Sequence, residues 1–168
     1  MKALAVLLFL LATPAYAEEP TIVISGIDPG GSLITYTAFW QRIADAGDSI
    51  KIDGVCISAC TLFLGYVPTD RVCVTERASL GFHQASENDQ PDIRLTQATV
   101  RWLYPRWVQD WIMQNDGLES NPKYMYPEDM KGHIKLCPGS EYNEISPDKL
   151  IHKEPPPPPD GRVIIKPQ

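Results

Sequence analysis

Thr21-Ile22-Val23-Ile24-Ser25-Gly26-Ile27-Asp28-Pro29-Gly30-Gly31-Ser32 is the stretch from which the fold can be read. Its first five residues are β-branched and nearly all apolar, the composition of a strand covered on both faces, as strands of parallel sheets are. Pro29, Gly30 and Gly31 then turn the chain. Ser32 has a hydroxyl able to accept from an amide in a helix's first turn. Leu33, Tyr36, Phe39, Trp40 and Ile43 follow at helical spacing, which predicts a helix over 32–46 with one buried stripe, stopped by Gly47.

The same alternation continues. Ser49-Ile50-Lys51-Ile52-Asp53-Gly54-Val55 reads as a second strand, and 58–66 as a second, largely apolar helix that begins at Ser58. A turn at Pro68-Thr69-Asp70 leads into a third strand, Arg71-Val72-Cys73-Val74, and Leu80-Gly81-Phe82-His83 is a short extended piece ending in a histidine. Strand, helix, strand, helix, strand predicts an α/β fold of βαβ units, with right-handed crossovers, a mainly parallel sheet and a site at the strands' carboxyl ends. The glycine pair, Ser58 and His83 all fall on that edge. A hydroxyl, an imidazole and helix starts whose N–H groups lack internal acceptors are the equipment of a serine hydrolase.

Downstream, 87–92 is polar and expected to be a loop or flap. Residues 96–114 read as helical with an interruption at Tyr104-Pro105, since proline removes a helix hydrogen bond. Trp102, Trp107 and Trp111 are expected to cover the sheet as core, the alternative being an exposed aromatic face for a partner. Asn115-Asp116-Gly117 ends the helix. A short helix is expected within 123–133, and the five prolines at 155–159 must be extended polyproline, followed by a short Val163-Ile164-Ile165 piece.

Composition bounds the function. Residues 1–17 carry Lys2, an apolar run over 3–12 and Ala15-Tyr16-Ala17 before Glu18-Glu19, the pattern of a cleaved secretory leader rather than a membrane anchor. A soluble periplasmic or secreted protein without stable membrane insertion is expected. The whole chain has a formal net charge of −6, and loss of Lys2 with the leader makes the mature part more acidic still. With no basic stripe, nucleic acid is excluded as a partner. The remaining length suits one domain, taken as 18–152, with a proline-rich tail over 153–168. Cys56, Cys60, Cys73 and Cys137 are an even set in an exported chain and point to disulfides. Four cysteines allow three pairings; Cys60 with Cys73, helix to following strand, and Cys56 with Cys137 is the pairing expected. A zinc site using these cysteines and His83 matches no common spacing, so no metal or other cofactor is implied.

The runs Asp28-Pro29-Gly30-Gly31-Ser32, Gly54-Val55-Cys56-Ile57-Ser58-Ala59-Cys60 and Phe82-His83-Gln84 together resemble the ClpP/crotonase family, most of all its small exported ClpP-like bacterial members. The resemblance covers residues 21–85 and fades in the C-terminal third. It implies a serine peptidase with Ser58 as nucleophile and His83 as base. The backbone amides of Gly31 and Ala59 would form the oxyanion hole, and Gly30 would make the turn. The family's orienting aspartate belongs after the long helix, where direct alignment gives Pro122. Asn121, one position away, ranks ahead of Asp116 and Glu119 as the substitute. The family's first strand and helix are missing, so the fold is expected to be N-terminally truncated and stapled by disulfides, its open sheet edge covered by another element or a second copy of the chain. The expected partner is a peptide or protein substrate. The alternatives are a non-catalytic binding or assembly module on the same scaffold, and an acyl or thioester hydrolase.

Overall fold

The computed structural model describes residues 22–140 and the backbone of 162–165. The leader expected at 1–17 and the proline run at 155–159 lie outside the described residues. β1 (Ile22–Asp28) leads through the glycine turn into α1 (Leu33–Ala46). Ser32 caps α1, its Oγ accepting from Thr35 N at 3.4 Å, and Gly47 ends it in the left-handed conformation at φ +80°. β2 (Ile50–Ile57) runs into a 3-10 turn, Ser58–Leu62, continued by α2 (Phe63–Tyr66). Then follow β3 (Val72–Val74), β4 (Ser79–Phe82), the hairpin pair β5 (Ser86–Glu87) and β6 (Gln90–Pro91), α3 (Ile93–Leu103), α4 (Arg106–Gln114), β7 (Lys123–Met125), β8 (Lys135–Leu136) and β9 (Arg162–Ile165).

The main sheet has the order β7-β4-β2-β1-β9, with β3 between β2 and β8. β1–β2, β2–β3, β2–β4 and β3–β8 pair parallel, whereas β4–β7 and β1–β9 pair antiparallel. The sheet is therefore mixed rather than mainly parallel, a correction to the βαβ expectation. Between β4 and β7 lie two helices rather than one, and the chain re-enters running the opposite way. β9 lines the other edge, along β1.

β2 serves two neighbours on the same side, residues 50–52 pairing with β3 and 55–57 with β4, so the sheet curls at Asp53-Gly54. Asp53 fastens the fork. Its Oδ1 accepts from Thr75 Oγ1 at 2.7 Å and Arg77 Nε at 3.0 Å, and its Oδ2 from Arg77 Nη2 at 2.6 Å. Burial works to raise its pKa, but the Arg77 and Thr75 hydrogen bonds and the Arg77 and Lys51 charges hold it below the ordinary carboxylate value. One step on, a Cβ at Gly54 would lie 2.2 Å from Gly26 O, so β1 and β2 touch backbone to backbone at the Gly26–Gly54 pair.

The core is filled by Ile24, Ile50, Ile52, Leu62, Phe63, Val74, Leu80, Phe82 and Met125, with Trp40 of α1 set edge-on to Phe63 at 5.7 Å. The helix break falls at Tyr104-Pro105 as expected. It also divides the tryptophans: Trp107 and Trp111 pack against the core from α4, while Trp102 on α3 is 74 % exposed. Their spacing is not one stripe, because the break resets the helical phase. The helix expected within 123–133 is instead β7 followed by turns, with Trp107 stacked on His133 at 4.5 Å.

No cysteine is free, but the pairing differs from expectation: Cys56 joins Cys60, and Cys73 joins Cys137. The sharp turn after β2 brings the Cα atoms of Cys56 and Cys60 to 5.5 Å, within bonding reach. Cys73 on β3 faces the chain just beyond β8, its parallel neighbour. Among the described residues no helix is long and apolar enough to cross a membrane.

Candidate active site

The register of β1 on β2 runs from Ile22–Ile50 to Asp28–Cys56, so the two strands end level and deliver their following turns side by side. After β1, Asp28 Oδ1 accepts from Gly30 N at 2.9 Å and from the Tyr36 hydroxyl at 2.5 Å, tying the glycine turn to the first turn of α1. Burial, then the hydrogen bond to Asp28 and its charge, raise the Tyr36 pKa, so its phenol stays a donor. Gly30 has φ +78°, and a Cβ there would lie 2.4 Å from Ile57 O, 2.8 Å from Ala59 N and 2.9 Å from Ser58 Cβ. The glycine turn thus rests directly on the backbone around Ser58.

Ser58 has φ +58°, between extended Ile57 and the 3-10 turn that it opens. A residue with a Cβ in the left-handed region costs about 1–2 kcal/mol. Such outliers persist where the surroundings over-determine them, often at functional sites, and a serine on a sharp strand-to-helix turn is presented outward. The Cys56–Cys60 disulfide brackets this elbow from both sides. Ala59 is buried, as the second residue of a helical turn whose first N–H groups have no acceptor within the helix.

His83 follows β4, which lies beside the second half of β2. The β4 histidine, the β2 elbow and the β1 turn meet in one cavity of about 430 Å³ whose walls include Gly31, Ser58, Ala59 and His83. A residue set drawn from three separate segments thus shares one space. The structure does not join all of them: among the described residues, no hydrogen bond involves the Ser58 hydroxyl or the His83 imidazole. Asn121 is exposed and is not on the cavity wall. Extending the β4–β7 register beyond Phe82–Lys123 sets Pro122 opposite His83, and Gln84 N donates to Glu119 O at 2.8 Å. The Glu119 carboxylate is drawn off by Lys123 at 3.0 Å.

The opposite wall, absent from the sequence reading, comes from Leu95, Thr96 and Thr99 of α3 with Tyr104 and Leu118, and the β5–β6 hairpin stands at its rim with Ser86, Glu87 and Asn88. Asp92 caps α3 with its carboxylate, accepting from Arg94 N and Leu95 N at 2.8 and 2.9 Å. Thr96 Oγ1 accepts from Ala85 N at 2.9 Å, anchoring the residues after His83 to α3. The only advance signal for the hairpin is the Asn88-Asp89 pair, and both residues take the positive φ that a two-residue turn demands. A second hollow of about 490 Å³ between β1 and α1 holds neither Ser58 nor His83. Among the described residues no group of three or more His, Cys, Asp or Glu is placed to hold a metal ion.

No model of a known protein family matches the chain, and no curated protein matches it in sequence.

Proposed function

We propose that the chain is an exported serine hydrolase, of peptidase type, on a ClpP/crotonase-like fold. Ser58 is the nucleophile, His83 takes its proton and returns it to the leaving group, and the amides of Gly31 and Ala59 receive the oxyanion. The observation that carries this reading is the left-handed Ser58, seated in one cavity with His83, Gly31 and Ala59. Export to the periplasm or beyond is supported by the leader pattern at 1–17 and by two disulfides, which persist in oxidising compartments. Within this proposal the substrate is a peptide or protein, and Asn121 is the residue nearest in sequence to the missing orienting carboxylate. An acyl or thioester substrate would use the same oxyanion hole.

The second reading is a non-catalytic binding module on the same scaffold, favoured by the His83 imidazole, which among the described residues has no hydrogen bond to an orienting carboxylate. A fluorophosphonate probe decides between them. The oxidised full chain is expected to be labelled at Ser58, with labelling abolished in Ser58→Ala and cut steeply in His83→Ala. Well-folded protein that takes up no probe would establish the binding module instead.

A further inference from the structure

Thr61, three residues past Ser58, is wholly buried. Its Oγ1 lies 2.6 Å from the Ser58 carbonyl oxygen and 2.6 Å from the Tyr104 hydroxyl. A carbonyl can only accept, so the single Thr61 proton goes to Ser58, and Tyr104 must donate to Thr61. The chain therefore has one direction: Tyr104 to Thr61 to the backbone of the elbow. Burial pushes the Tyr104 phenol up to about 12, so the donor is present across the neutral range. Tyr104 is itself fixed at its main chain, where its carbonyl accepts from Gln109 Nε2 at 2.8 Å.

The Ser58 carbonyl and the Ala59 N–H belong to one planar trans peptide unit and point in opposite directions. Whatever holds the carbonyl toward the interior also aims the amide away from it. We infer that Thr61 and Tyr104 are positioning residues which set the direction of the Ala59 amide, and through it the oxyanion hole. This rests on the proposed function, since only a hydrolase needs that amide aimed at a developing charge. Tyr104 also forms part of the cavity wall with Leu95, Thr96 and Thr99, so the same hydrogen-bond chain ties the substrate-facing side of the cleft to the nucleophile's backbone.

The test compares fluorophosphonate labelling of the oxidised full chain with that of Thr61→Val, Thr61→Ser and Tyr104→Phe, separating the maximal labelling rate from the probe concentration at half-saturation. Thr61→Val keeps the shape and removes the donor. Its maximal rate is expected to fall between about tenfold and a hundredfold, short of the roughly hundred- to thousandfold loss from deleting an oxyanion donor outright. Half-saturation should stay put. Thr61→Ser restores the hydroxyl and should return the rate to near that of the parent, while Tyr104→Phe, which leaves the direct Thr61 bond, should label about threefold more slowly. A Thr61→Val protein labelled within about twofold of the parent overturns the inference. If that variant does not fold, Tyr104→Phe decides, and an unchanged rate overturns it. If the parent protein takes no probe, the hydrolase reading fails separately, and a crystal structure of Thr61→Val judges the geometry: a rotated 58–59 peptide upholds the positioning role and an unmoved one ends it.

Discussion

Gly30→Ala isolates the contact on which the candidate site depends. Two costs arise. The backbone at φ +78° penalises any Cβ by about 1–2 kcal/mol. The new methyl would also lie 2.4 Å from Ile57 O, 2.8 Å from Ala59 N and 2.9 Å from Ser58 Cβ. Two of those atoms belong to the main chain and none is the end of a flexible side chain, so the elbow itself must shift, at a further cost of about 1–3 kcal/mol. Gly132→Ala is the control, with φ +88° and nothing within 4 Å of its Cβ, so it bears the first cost alone. In urea denaturation Gly30→Ala should lose about 1–3 kcal/mol more than Gly132→Ala, or several degrees in a thermal melt. Displacing the elbow by about 1 Å should slow fluorophosphonate labelling by on the order of a hundredfold, while Gly132→Ala labels normally. Equal stability losses in the two variants, with equal labelling, would show that the glycine turn does not bear on Ser58.

Two further outcomes follow from the fork and the disulfides. Asp53 has a folded-state pKa below its unfolded value of about 3.9, so its contribution is fully present above that pH and is lost as pH falls through the depressed folded value. Asp53→Asn should cost about 1–3 kcal/mol at neutral pH and flatten the loss of stability below about pH 4, measured by urea denaturation across pH; an unchanged acid limb would remove Asp53 from the account. Replacing Cys73 and Cys137 by alanine opens a crosslink with sequence separation 64 and should cost about 4 kcal/mol, against about 2 for Cys56 and Cys60, separated by 4. The reverse order in denaturation midpoints would contradict the chain-entropy explanation.

The first half of the molecule was legible because its signals are local. β1, α1 and β2 carry apolar residues at strand or helix spacing with Ser32, Gly47 and the glycine pair as punctuation, and Ser58 opens a helical turn as the sequence implies. What escaped depends on distant partners. β7 is three residues long and exists because β4 offers it an edge some forty residues earlier, a fact no window around Lys123 contains. The cysteine pairing was beyond reach for a related reason: only the left-handed step at Ser58 folds Cys60 back toward Cys56, and serine gives no notice of that conformation. The far wall of the site, from α3 and Tyr104, depends on how that helix crosses the sheet end. Its residues, Thr96 and Thr99 among them, look like ordinary helix surface in the sequence.

The bare contact between Gly26 and Gly54 has a consequence for how this chain can vary. Sliding β2 by a single position along β1 would bring Asp53 or Val55 to a spot with no room for even a methyl group. The two strands therefore act as rulers clamped at a common mark. Length changes must be absorbed in the 29–49 connection or beyond Cys60, and the distance from the mark to Gly30 on one ruler and to Ser58 on the other is inherited unaltered.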